Sequence, residues 1–420
     1  MLRMSIVNLF ESRKNDPRWN TSYPLSPTDW AKFRTSSPLT FDNDQTLSFY
    51  LHIPFCRQLC SFCEYTKMLV PDEHLQERYL RSVAHDIERF KSLYGNLTLL
   101  GFDIGGGTPT SLSESNFSLL MDVYQRAIAG LALSRHYEPG IEGTFNTLTE
   151  TKLSDVVRNG IYRLSLGVQS SCHSIMKSHG RENAEERQMQ AWIDKAREIG
   201  IEKINLDFMY GIHGQDESSI EKDLQLIKLL HPQQVTLYEL RTNMIPSAKT
   251  YPKETLYDQY SHYYDGLINM GYVARFGQNT FSVDADDQGM SSYIRERMIN
   301  GAPYKGFGIS AQSMCSAGVS YNKGKNQPIQ HLLNDTSYPE EYTYRLPSNE
   351  LASKYIAISA YNGSFSVDRL KELCYYDTIK ETLDFCLDND LLELHNNRAY
   401  ITRKGFKHYG AVFSLIHSPR

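Results

Sequence analysis

Tyr50-Leu51-His52-Ile53-Pro54-Phe55-Cys56-Arg57-Gln58-Leu59-Cys60-Ser61-Phe62-Cys63 decides how this chain is read. Residues 47–53 are strand-like, and Pro54 ends the strand because proline cannot donate to a sheet ladder. Three cysteines follow at C-x3-C-x2-C spacing on one short loop. Three thiolates this close can wrap one metal centre, leaving a fourth position without a protein ligand. A structural zinc site closes its shell with four ligands, and a [4Fe–4S] cluster normally takes four cysteines. Three cysteines and an open position suit a cluster whose fourth iron binds a substrate or cosubstrate. Zinc is the competing reading; its nearest spare ligands, Glu64 beside the loop and His52 back on the strand, are poor partners.

Outward from this loop, strand and helix alternate. An apolar strand over residues 97–104 runs into Gly105-Gly106-Gly107-Thr108-Pro109-Thr110. Without Cβ atoms, this run lets backbone approach a neighbour or ligand closely. It is neither a Walker A loop nor a dinucleotide fingerprint. Further strands are expected at 140–145 (with Glu142), 162–168 (ending at Gln169), 203–209 (with Asp207) and 234–240. Helical spacing separates them at 71–94, 113–129, 153–159, 184–199 and 218–230. About six βα units between residues 47 and 245 predict an α/β protein with a parallel sheet, too few units for a closed eight-fold barrel. In such sheets function gathers at the carboxyl ends of the strands. The cysteine loop, the glycine run, Glu142, Gln169 and Asp207 all fall at or near such ends. Polar groups at the ends of buried strands need partners, which favours ligand contact for Gln169 and Asp207. Glu142 and Arg181 read equally well as surface charges.

Composition bounds the rest. The chain has 420 residues, 44 Lys+Arg, 49 Asp+Glu and a formal net charge of −5. Mild acidity without a basic run gives no reason to expect nucleic-acid binding. No stretch approaches the roughly 18 apolar residues of a membrane span, and the apolar start at residues 1–10 is too short for a signal sequence. Seven cysteines without a secretion signal argue against a disulfide framework, and Cys172, Cys315, Cys374 and Cys386 read as ordinary thiols. A cytoplasmic location is expected. Residues 1–46 read as an irregular arm, strapped over the surface or serving as a lid with Arg18 available for a carboxylate. Residues 47–245 are the parallel barrel. Residues 246–345 are a less regular, substrate-covering extension, in which the glycine-rich 304–313 is expected to return backbone to the pocket. Residues 346–420 read as helices followed by a hairpin turning at 395–398, a winged-helix-like module.

The C-x3-C-x2-C loop resembles the signature of the radical S-adenosylmethionine (SAM) superfamily. Tyr50-Leu-His-Ile-Pro-Phe-Cys, Gly-Gly-Gly-Thr-Pro-Thr, Arg163-Leu-Ser-Leu-Gly-Val-Gln, Asn205-Leu-Asp-Phe-Met-Tyr-Gly and the arm Arg18-Trp-Asn-Thr-Ser-Tyr-Pro are similar to its oxygen-independent coproporphyrinogen III oxidase branch. The resemblance covers nearly the whole chain and implies a partial (β/α)6 barrel. It implies that Cys56, Cys60 and Cys63 hold a [4Fe–4S] cluster, with SAM on its open iron. It also implies that Tyr50, Phe62, Gly106, Gly107, Thr108, Glu142, Gln169, Arg181 and Asp207 contact one or two SAM molecules, with Tyr50 also placed as catalytic. In the family an electron from the cluster cleaves SAM to a hydrogen-abstracting radical, which leads here to oxidative decarboxylation of a tetrapyrrole propionate. An electron donor such as flavodoxin or ferredoxin is implied as partner, with a tetrapyrrole or another organic acceptor as substrate.

Two departures stand out. Dehydrogenases of the branch usually carry another cysteine two residues past the triplet, where this chain has Tyr65. The side chains around Leu240-Arg241-Thr242 and 306–313 also differ from that pattern. The branch includes C-methyltransferases using two SAM molecules and non-catalytic haem carriers; the arm argues against the latter.

Overall fold

The computed structural model describes residues 5–14, 23–24, 27–241, 251–324, 333 and 340–418. The first of these correct the reading of an irregular arm. Helix α1 (Ile6–Lys14) buries Phe10 among C-terminal side chains, and the Arg13 guanidinium donates to the carbonyls of Ser414 (2.6 Å) and Ser418 (2.7 Å). Leu39 and Phe41 enter the main core, and Arg34–Thr35 joins the main sheet. The segment around Arg18 lies outside the described residues.

Six parallel strands then follow in chain order: β1 (Thr46–Ile53), β2 (Thr98–Gly106), β3 (Gly140–Gly143), β4 (Arg163–Gln169), β5 (Lys203–Tyr210) and β6 (Gln234–Glu239). Tyr50 sits opposite Asp103, Glu142 opposite Ser165, Gly167 opposite Asp207, and Asp207 opposite Thr236. The strands are apolar on both faces because helices cover one side and the core fills the other. Leu47, Phe49, Leu51, Ile53, Leu164 and Ile204 are wholly buried. Between the strands run α2 (Glu73–Tyr94), α3 (Glu114–Ile128), α4 (Glu150–Arg158), α5 (Glu186–Ile199) and α6 (Glu217–Leu230). Helix α2 starts where the Asp72 carboxylate accepts from the Leu75 amide at 2.9 Å, satisfying an otherwise orphan donor. It buries Tyr79, Leu80, Val83, Ile87 and Phe90, one helical face contributing roughly 1.5–3 kcal/mol per large side chain.

The sheet is extended at both edges. After α7 (Lys253–Asn269), β7 (Thr280–Ser282) lies antiparallel on β6. Strand β8 (Tyr304–Phe307) lies parallel to β1 with Gly306 opposite Tyr50. Strands β9 (Gln312–Cys315), β10 (Gly318–Asn322) and β11 (Glu340–Arg345) continue from it as an antiparallel meander. The glycine-rich stretch expected to return backbone to the pocket begins as a sheet strand beside the cysteine-bearing one.

The C-terminal part holds α8 (Ser348–Ser359), β12 (Ser364–Ser366), α9 (Val367–Glu372), α10 (Tyr376–Asp388), the hairpin β13 (Leu392–His395) and β14 (Arg398–Ile401), and α11 (Tyr409–His417). Its strands pair in the order β12-β14-β13. The hairpin turns at Asn396 and Asn397, with φ 48° and 57°, a left-handed conformation that asparagine tolerates. Among the described residues, no helix is long and apolar enough to cross a membrane.

Candidate functional site

The cysteine loop leaves the carboxyl end of β1. Cys56 and Cys60 are buried and Cys63 half-buried, and none is in a disulfide. Burial pushes the Cys56 thiol up to about 11, while the Thr108 hydroxyl, 3.6 Å from Sγ, pulls it down. Burial also raises Cys63, against the pull of Lys67, whose ammonium donates to the Cys63 carbonyl. The Arg181 guanidinium reaches the Cys60 sulfur at 3.8 Å, donates to the Gly167 carbonyl, and donates from Nε to Asn183 Oδ1 at 2.8 Å. The loop is pinned from below where the Ser61 amide donates to the His179 carbonyl (3.0 Å). Phe62 packs with Ile175, Met176, Met209 and Ile212. Two residues weighed as further zinc ligands are engaged elsewhere. His52 Nε2 donates to the Thr66 carbonyl at 2.9 Å, and burial lowers the ring to about 4, so it is neutral. Glu64 is paired with Arg241. Among the described residues no three His, Cys, Asp or Glu side chains are gathered as a metal site; by donor chemistry, three soft sulfurs on one loop fit an iron–sulfur cluster with one open iron better than a closed zinc shell.

Beside the loop, β2 ends in the glycine run. The Gly106 amide donates to Glu142 Oε2 at 3.0 Å, the Gly107 amide to the Ile53 carbonyl at 2.7 Å, and the Thr108 amide to the Phe55 carbonyl at 2.8 Å. Gly106 has φ +112°, and a Cβ there would sit 2.4 Å from the His52 ring. The missing side chains thus make room for the end of β1, and the amides bond protein acceptors.

Glu142 projects from near the end of β3 and Asp207 from within β5. Burial first, then the neighbouring Asp207 charge, pushes the Glu142 carboxyl up to about 7, against the Gly106 amide. Burial pushes Asp207 up to about 6, while Arg163, Asn205 Nδ2 (2.8 Å) and Ser165 Oγ (3.1 Å) pull it down. Gln169 ends β4 in the left-handed region, φ 71°. The residues that follow it are tied to α6: Ser171 N, Ser171 Oγ and Ser170 Oγ donate to Asp223 Oδ1 at 2.5, 2.6 and 3.2 Å.

Several of these side chains are solvent-accessible although protein crowds closely around them, as side chains in a concave cleft are. Glu142 is one, together with Tyr65 (56% exposed) and Tyr238 at the end of β6. Tyr50 stands on the β1 wall, its hydroxyl 3.3 Å from His52 Nδ1 and its ring stacked on Tyr293 at 5.6 Å and 22°. Burial, then the charges of Glu142 and Glu64, holds the Tyr65 phenol well above its ordinary value.

The cysteine loop, the glycine run, Glu142 and Gln169 lie at or near the carboxyl ends of their strands, Tyr50 and Asp207 stand within theirs, and Arg18 lies outside the described residues. Tyr65 stood out in the sequence only as a departure from the family pattern, and Tyr238 and Tyr293 were not singled out. Tyr238 was reachable from the strand-end rule; Tyr293 comes from far along the chain and carries no local motif. Thr242 lies outside the described residues.

Residues 50–227 match the model of the Radical SAM superfamily. The heme chaperone HemW of Bacillus subtilis is 27% identical over 316 residues, 72% of this chain and 80% of that protein. The oxygen-independent coproporphyrinogen III oxidase of Escherichia coli is 29% identical over 225 residues, 53% of this chain and 48% of that protein. The chain thus spans about half the length of that oxidase in the match. The solved structure described as coproporphyrinogen III oxidase (HemN) from Escherichia coli superimposes with a TM-score of 0.74 at 21% identity, covering 90% of this chain and 91% of that one. This likeness shows the fold.

Proposed function

The chain belongs to the radical SAM superfamily, in the branch of the oxygen-independent coproporphyrinogen III oxidases and HemW, and from that premise we propose that it is an enzyme cleaving SAM to act on a tetrapyrrole, by oxidative decarboxylation of a propionate. The observation that carries the reading is the convergence at the strand ends. Thr108 and Arg181, from separate elements, reach the sulfurs of Cys56 and Cys60, while Glu142 and Asp207 open on the adjoining cavity.

Cys56, Cys60 and Cys63 hold the cluster, which supplies the electron for SAM cleavage. Glu142 and Asp207 bind the positively charged and hydroxyl groups of SAM. Gln169, Gly106, Gly107 and Thr108 shape that side of the cavity, and Phe62 packs beneath it. Arg181 stabilises thiolate sulfur. Tyr50 faces the cavity between the glycine run and Tyr293, placed to orient the reacting part of the substrate.

A second reading, a heme chaperone that binds haem on the same fold, is favoured by the extent of the similarity to HemW, 80% of that protein. C-methylation with a second SAM shares the same cavity. The deciding experiment is anaerobic reconstitution with iron and sulfide, then dithionite, SAM and coproporphyrinogen III, with products followed by mass spectrometry. 5′-Deoxyadenosine with successive losses of CO2 supports the oxidase. Methylated product with S-adenosylhomocysteine supports the transferase. Haem binding with no SAM cleavage overturns the enzymatic reading.

A further inference from the structure

Arg297 stands out in the walls of the cavity. Its side chain is partly exposed. It sits in the π-helical turn Glu296–Asn300, a conformation that recurs at functional sites. A guanidinium has five N–H donors. Here Nη1 reaches the Tyr293 hydroxyl and Nη2 reaches Gln312 Oε1, both at a long 3.5 Å, and Nε is buried with no acceptor. The group lies over the faces of Tyr304 (4.8 Å) and Tyr293 (6.0 Å). Among the described residues no carboxylate pairs with it. A partly buried cation without an anion is costly to hold, and the tyrosine faces offset only part of that cost.

Its position ties it to the site. Tyr293 is stacked on Tyr50, and Tyr65 lies within electrostatic reach of Arg297 on one side and Glu142 on the other. Two more cations are close by. Arg241 lies 5.5 Å from the Tyr361 ring and is paired with Glu64. Burial first, then the charges of Arg297 and Arg241, pushes the Lys354 ammonium down to about 7. The cavity is therefore polarised: carboxylates on β3 and β5, tyrosines between, and cations at the far side.

We propose that Arg297, backed by Arg241, binds a carboxylate of the substrate and so sets which end of the molecule faces the cluster. The guanidinium fork matches a carboxylate with two parallel hydrogen bonds, and the tyrosine rings flank an apolar body attached to it. This assignment rests on the tetrapyrrole reading and adds its recognition group: the substrate enters as a free acid.

The test compares coproporphyrin III, a tetra-acid, with its tetramethyl ester, by anaerobic fluorescence titration of the cluster-loaded full chain. The wild type is expected to bind the acid ~10–100-fold more tightly than the ester, the value of one to two charge-assisted contacts. Arg297→Gln should remove most of that preference by weakening the acid alone, and Arg297→Lys should restore part of it. Equal binding of acid and ester by the wild type overturns the assignment without reference to any variant and leaves the tetrapyrrole reading standing. A preference that survives intact in a folded Arg297→Gln protein also overturns it. If the wild type binds neither compound, the tetrapyrrole reading itself fails, and the assignment fails with it.

Discussion

Replacing Asp223 probes how the end of β4 is held against α6. The side chain is wholly buried and takes Ser171 N, Ser171 Oγ and Ser170 Oγ on one oxygen and the Tyr263 hydroxyl, at 2.5 Å, on the other. Burial outweighs these donors and pushes the carboxyl from 3.8 up to about 6. A shift of roughly two units makes the ionised form about 3 kcal/mol less favourable in the folded state than the protonated one. The folded-state pKa is raised, so the folded protein holds an extra proton between about pH 4 and pH 6. The group's contribution is therefore fullest below about pH 4 and falls by about 3 kcal/mol as pH rises past 6, with a maximum slope near 1.4 kcal/mol per pH unit. Asp223→Asn imitates the protonated form, keeps an acceptor for the three serine donors and does not titrate. It is expected within ~1 kcal/mol of wild type at pH 5 and at or above it at pH 7. Asp223→Ala strands a buried amide and three hydroxyls and is expected to cost about 3–5 kcal/mol. The assay is anaerobic urea unfolding of the three proteins at several pH values, read as the difference between each variant and wild type. A difference between Asp223→Asn and wild type that stays flat from pH 4.5 to 7.5, or an Asp223→Ala cost under 1 kcal/mol, would refute the reasoning.

Replacing Cys56, Cys60 or Cys63 singly with Ala should remove 5′-deoxyadenosine formation; any such variant turning over at the wild-type rate would sink the cluster assignment. Gly106→Ala combines a left-handed backbone with a Cβ 2.4 Å from the His52 ring. The backbone strain alone costs ~1–3 kcal/mol, so a melting temperature within a degree of wild type contradicts the packing described. Because Glu142 sits near 7 and the ionised form is the one that attracts a cation, SAM affinity measured by calorimetry should fall as pH drops from 8 to 6. Glu142→Gln should be weaker at pH 8 and lose most of that dependence.

The parallel strands were legible because burial on both faces makes them apolar runs bounded by turn residues. The expected 47–53 and 203–209 differ from the observed Thr46–Ile53 and Lys203–Tyr210 only at their ends. The hairpin was legible for a local reason, two asparagines where a left-handed turn is needed. Helix α1 was not: its apolar face is short, Ile6, Leu9 and Phe10, with only Phe10 fully buried, and its support comes from Ser414 and Ser418 some 400 residues away. Strand β8 was not read as a strand because Gly306 and Gly308 break its pattern, and its partner β1 lies far back in the chain. The cysteine triplet and the strand-end polar residues stand in motifs, so that half of the site was visible. Arg297 stands in none, and only the folded chain brings it to Tyr293 and the cavity.

The pairing of β8 with β1 has a consequence for how the protein is made. The strand that launches the cysteine loop keeps an open edge until residues 304–307 leave the ribosome, and α1 finds its seat only when α11 has followed. An unpaired edge is a template for wrong partners, so for most of synthesis the oxygen-sensitive heart of the molecule stands beside an unfinished wall.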